Sequence, residues 1–121
     1  MIKKILVVDD SIVMSKAIKI ILEKAGFDVF TEPDGAKVLD TVKKNKIDSV
    51  ILDLMMPGIS GKDVLKMLKS DPETKMVPVL LLTARIDVLR WDADFKIAES
   101  SMQKPFDNHE LVSEIKRLVG N

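Results

Sequence analysis

The chain of 121 residues contains no cysteine, which excludes a disulfide framework, a thiolate nucleophile and a thiolate metal site. A reducing compartment fits that composition, and a soluble cytoplasmic protein is the expectation. Neither charge is in excess, because 19 basic residues balance 19 acidic ones. The balance excludes the domain-wide positive field of a nucleic-acid binder and the acidic surplus of a solvating tail, so partners must be read from local features. Long apolar runs are missing too. After Lys3-Lys4 the run Ile5-Leu6-Val7-Val8 is stopped by Asp9 and Asp10, too soon for a signal peptide. No run approaches the roughly 18 to 20 apolar residues needed to cross a bilayer. Histidine occurs once, as His109, and reads as a solvated surface residue without a role.

What the chain does have is a hydrophobic fraction of 46%, enough for one substantial core, and a length near that of one domain, residues 1–121 without a linker. Short, continuous apolar runs at Ile5-Val8, Val50-Leu52 and Val77-Leu82 predict strands covered on both faces, as in a parallel sheet. Phe27-Thr31 predicts another, and Ile97-Met102 a weaker one. Between them lie helical patterns. Ser11 caps the first, which Gly26 stops; the second runs from about Asp34 to Asn45. Ser60 opens a third with Asp63 at capping-box spacing, and it ends near Asp71-Pro72. Leu89, Trp91 and Phe95 give only a rough stripe for a fourth, while Asp107, Glu110, Leu111, Ile115 and Leu118 mark the last plainly. Five alternations of strand and helix predict an open α/β sheet with helices on both faces.

Ligands in such sheets collect outside the carboxyl ends of the strands, where strand order reverses. Asp9 and Asp10 follow the first run, Asp53 the third, Thr83 the fourth and Lys104 the fifth. Three carboxylates in one crevice repel, so either they take up protons more readily or a cation neutralises them. An all-oxygen cluster without His or Cys selects a hard ion, with Mg²⁺ the usual choice where phosphate completes the shell.

Val7-Val8-Asp9-Asp10-Ser11, Asp53-Leu54-Met55-Met56-Pro57-Gly58, Thr83-Ala84 and Lys104-Pro105-Phe106 together resemble the CheY-like receiver domains of response regulators, over essentially the whole chain. The resemblance implies a flavodoxin-like, doubly wound sheet of five parallel strands in the order 2-1-3-4-5 with five helices, in three α/β/α layers. It implies Asp53 as phosphoacceptor, and Mg²⁺ held by Asp10 and Asp53 directly, by Asp9 mainly through water and by the Met55 carbonyl. Thr83, Ala84 and Lys104 would bind the phosphoryl oxygens, with the Lys104-Pro105 bond cis. The donor would be a histidine kinase or phosphotransfer protein. Such a module is not an enzyme but a phosphoacceptor that assists its own phosphorylation and dephosphorylation. It would signal to a downstream protein through the fourth helix, fifth strand and last helix, as a monomer or as a dimer on phosphorylation, without touching nucleic acid or membrane.

Two departures bear on that output. Ser101 stands where the family usually has an aromatic residue that rotates inward, and Ile97-Ala98-Glu99 replaces the usual turn before the fifth strand. With Ser101 and Pro105 as the supporting positions, the signal is expected to leave by Thr83 and the fourth helix. A phosphorylation-independent interaction module is the alternative. A redox or nucleotide enzyme on the same topology is disfavoured by the two anions of Asp9-Asp10-Ser11, where phosphate-binding turns use glycines or hydroxyls. A dehalogenase-type phosphatase wants an acid where Met55 stands.

Overall fold

The computed structural model describes residues 2–54 and 60–120, apart from the side chains of Ile86, Val88 and Trp91. Strands β1 (Lys4–Val8), β2 (Asp28–Glu32), β3 (Ser49–Asp53), β4 (Val79–Thr83) and β5 (Ser100–Gln103) form one sheet, ordered β2-β1-β3-β4-β5. Every pairing is parallel. The expected flavodoxin-like sheet is therefore the one found.

Side chains along a strand point alternately to the two faces, and the core divides accordingly. Leu6, Val8, Val50, Leu52, Val79 and Leu81 pack on one face with α2 (Val38–Asn45) and α3 (Gly61–Ser70). Ile5, Val7, Ile51, Leu80 and Leu82 pack on the other with α1 (Ile12–Lys24) and α5 (Asn108–Val119). This is why β1, β3 and β4 read as unbroken apolar runs. Each such side chain contributes roughly 1.5–3 kcal/mol by leaving water.

The caps lie where the sequence signals them. Ser11 accepts from the Met14 N–H, Ser60 from Asp63, and Asp107 from His109 and Glu110. Gly26 has φ 97°, the left-handed conformation that follows a helix end without a Cβ penalty. The second helical stretch begins as a 3-10 turn, Gly35–Lys37, capped by Asp34, before α2 proper.

Several boundaries differ from expectation. Asp53 and Thr83 end their strands rather than follow them, because Asp53 still pairs with Leu82 and Thr83 with Gln103. The fifth strand starts at Ser100, not Ile97, because Ala93–Ile97 forms a 3-10 segment capped by Asp92. Before it, α4 is a helix of only six residues, Ile86–Trp91. Among the described residues no helix is long and apolar enough to cross a membrane.

Candidate functional site

The chain leaves β1 for one edge of the sheet and returns across it to β3, so the carboxyl ends of these neighbouring strands flank the reversal of strand order. Asp9 and Asp10 follow β1 and Asp53 ends β3. One carboxylate oxygen from each lies within 4.8 Å of the others. Asp9 and Asp53 are buried, while Asp10 is exposed at the mouth.

Asp9 is held at both ends. Its Oδ1 accepts the Ser11 N–H at 2.9 Å, and its carbonyl accepts the hydroxyl of the buried Ser15 at 3.3 Å. The ammonium of Lys104 reaches in from beyond β5, 3.3 Å from Asp9 Oδ2 and 3.5 Å from Asp53 Oδ1. Its backbone N–H donates to the Thr83 carbonyl at 2.8 Å, and the Lys104-Pro105 peptide is cis, as the resemblance implies. Thr83 is 1% exposed at the end of β4, one strand from Asp53, and its Oγ1 accepts the Arg85 N–H at 3.0 Å. Ala84 follows, exposed.

Asp9, Asp10, Asp53 and Lys104 are thus gathered in one crevice beside Thr83. Ser101 is not part of it: it sits exposed on β5 opposite Leu81. Pro105 is exposed beyond Lys104. Met55, expected to offer its carbonyl, lies outside the described residues.

Three carboxylates against one ammonium leave the crevice with an excess of negative charge. An all-oxygen donor set with that excess, two of its members buried, fits a hard divalent cation such as Mg²⁺. The ion would offset the mutual repulsion of the three carboxylates. It would also leave room for oxygens from a ligand, since Mg²⁺ rarely takes a full shell from protein.

Sequence reasoning missed Gly61. A Cβ there would lie 2.7 Å from the Asp53 carbonyl oxygen and 2.7 Å from the Leu54 Cα, inside contact distance of backbone that cannot swing away. Glycine therefore lets the start of α3 close on the peptide that carries Asp53. A glycine in the first turn after the cap Ser60, where better helix formers are available, was the signal. Also missed was Glu99, whose Oε1 accepts the Val79 N–H at 2.8 Å while both its carboxylate oxygens take Lys69 Nζ at 2.8 Å.

Comparison with known proteins gives a consistent result. The family model described as the response regulator receiver domain matches residues 5–116. The transcriptional regulatory protein CpxR of Escherichia coli K12 is 38% identical over 117 residues, 96% of this chain and 49% of that protein. The DNA-binding response regulator MtrA of Mycolicibacterium paratuberculosis is 36% identical over 115 residues, 94% of this chain and 50% of that protein. The chain thus spans about half the length of these curated relatives. Among solved structures, the response regulator TrrA of Thermotoga maritima in complex with Mg(2+)-BeF superposes with a TM-score of 0.87 at 33% identity, covering 97% of this chain and 99% of that one.

Proposed function

We propose, for a chain that belongs to the response regulator receiver domain family of two-component systems, that Asp53 is the residue that accepts a phosphoryl group. The observation that carries this is the placing of the Lys104 ammonium between the buried carboxylates of Asp9 and Asp53. A cation fixed there before reaction costs no reorganisation when the charged phosphoryl oxygens arrive.

Phosphoryl transfer needs an in-line oxygen nucleophile and positive charge around the equatorial oxygens. An Asp53 carboxylate oxygen forms the new bond to phosphorus, and the bond from phosphorus to the donor imidazole nitrogen breaks, leaving its electron pair on that nitrogen. The donor is the phosphohistidine of a histidine kinase or phosphotransfer protein. Lys104 moves from carboxylate to phosphoryl oxygen, and Thr83 donates its hydroxyl hydrogen to another while its oxygen keeps the Arg85 N–H. Ala84 offers its backbone N–H. Asp9, Asp10 and Asp53, with the Met55 carbonyl, would hold a Mg²⁺ that supplies further positive charge to the transferring group.

In receiver domains the positions two beyond the accepting aspartate and two beyond the strand-end hydroxyl flank the path of a hydrolytic water, and this chain has Met55 and Arg85 at them. Neither offers the acid or amide that would orient that water, so the acyl phosphate is long-lived. Decay as fast in the wild type as in Met55→Asn would contradict this.

The output of this domain is a protein contact rather than a base contact, in line with its balanced charge. Residues 1–121 act as one such domain. The test of acceptance is intact mass after treatment with Mg²⁺ and acetyl phosphate. A single phosphoryl increment in the wild type, absent in Asp53→Asn, is expected; an increment in both would place the acceptor elsewhere.

A further inference from the structure

A cluster of four charges outside the acceptor crevice joins two elements that lead away from it. Lys62, in the first turn of α3, sets its Nζ 2.5 Å from Asp92 Oδ2 and 3.2 Å from Asp94 Oδ2. Lys66, one turn on, sets its Nζ 2.9 Å from the same Asp94 oxygen. Asp92 is the junction of the far side: it ends α4, and its Oδ1 caps the 3-10 segment by accepting the Asp94 N–H at 3.0 Å. In that segment only Phe95 is buried, and the six-residue α4 has no side-chain cap at its start. A helix so short does not hold itself together, so its position depends on what it is tied to.

The tie closes a ring with the acceptor. Gly61 packs against the Asp53-Leu54 peptide, and Lys62 is the next residue. The ion pairs cross from Lys62 to Asp92, α4 runs from there back to Arg85, and the Arg85 N–H is bonded to Thr83 Oγ1. Thr83 ends the strand that pairs with β3, where Leu82 faces Asp53. Both ends of the ring are thus residues that a phosphoryl group on Asp53 would meet.

We infer that Lys62, Lys66, Asp92 and Asp94 form a latch that holds α4 and the 3-10 segment against α3 and opposes the movement of Thr83 when Asp53 is modified. The inference rests on the reading of Asp53 as acceptor. A ligand that draws Thr83 favours the released arrangement, and by reciprocity weakening the latch tightens that ligand. Lys62 and Lys66 hold the Asp92 and Asp94 carboxyls below the ordinary range, Lys62 first for Asp92 and Lys66 first for Asp94. All four side chains are about a third to a half exposed, so the pairs are individually weak and together set a small bias. A small bias is one that a single phosphoryl group can overcome.

The test compares wild type, Lys62→Ala/Lys66→Ala and Lys62→Arg, with Lys43→Ala as control, since Lys43 pairs with Asp71 at 2.7 Å away from the ring. Amide hydrogen exchange without any ligand reads the latch alone. The Phe95 and Ala98 N–H groups, bonded within the segment, are expected to exchange roughly three- to tenfold faster in the double alanine variant, as for a small charge network. Lys62→Arg and Lys43→Ala are expected to match wild type there. Titration with Mg²⁺ and beryllofluoride reads the coupling, with a tightening of similar size expected in the double variant. Unchanged exchange, or faster exchange with unchanged or weaker binding, overturns the latch. A wild type that takes no beryllofluoride contradicts the acceptor reading itself, and the coupling falls with it.

Discussion

The two sides of the sheet around β4 are built differently. Toward β3 and β1, every strand residue is buried except Lys4, the Asp9 carboxylate is held by the Ser11 N–H, and Lys104 reaches both Asp9 and Asp53. Toward β5, strand residues alternate between half-buried and exposed, α4 is six residues long, and much of what ties the region down is ionic. On the proposed reading, the first side holds the accepting carboxylate in one place and the second is the side that small forces displace. A receiver needs both, and here they share one strand.

The contrast is broken most severely by cutting into the first side. Leu81→Ala, at a fully buried position opposite Ser101, is expected to cost about 2–5 kcal/mol in urea unfolding, because the close-packed core cannot fill the cavity. Lys104→Ala is expected to slow phosphoryl uptake from acetyl phosphate by about 100- to 1,000-fold, the scale for losing one preorganised charge donor, measured by quench and mass analysis. Gly61→Ala drives a methyl against the Asp53 and Leu54 backbone; a loss of about 1–3 kcal/mol by urea denaturation is expected, together with slower uptake as Asp53 shifts. On the second side, Ser101→Ala is expected to change stability by less than about 0.5 kcal/mol, because the residue is exposed.

The smallest effect is a pH dependence at the β5 edge. Arg117, and after it the Ser100 hydroxyl, hold the Glu114 carboxyl below the usual glutamate range. Because the value is lowered on folding, the stability it contributes is present above the unfolded value of about 4.3 and is lost as pH falls through the lower folded value. The side chain is a quarter exposed, so solvent screens much of this. The difference in urea midpoint between wild type and Glu114→Gln should be visible at pH 7 and shrink toward pH 3.

How legible the fold was follows the same division. β1, β3 and β4 announce themselves because burial on both faces demands unbroken apolar runs, and Ser11, Ser60 and Asp107 act as caps because capping is local chemistry. Asp9, Asp10, Asp53, Thr83 and Lys104 stand at strand ends, so reading the strands was enough to bring them together. The segment before β5 was misread because its determinants are distant: Asp92 caps a 3-10 turn while pairing with Lys62, and Glu99 bonds the Val79 N–H and Lys69. Partners 20 or 30 residues away leave no periodic trace in the segment itself. Gly61 was hidden for another reason. Its importance lies in the side chain it lacks, and only the approach of α3 to the Asp53 peptide reveals it.

The most direct test of the central claim is to locate the phosphoryl group. After treatment with Mg²⁺ and acetyl phosphate, borohydride reduces an aspartyl phosphate to homoserine, and peptide sequencing finds the site. Homoserine at position 53, and at neither Asp9 nor Asp10, is the expected result. Homoserine at another position, or none after a confirmed phosphoryl mass gain, would contradict the account.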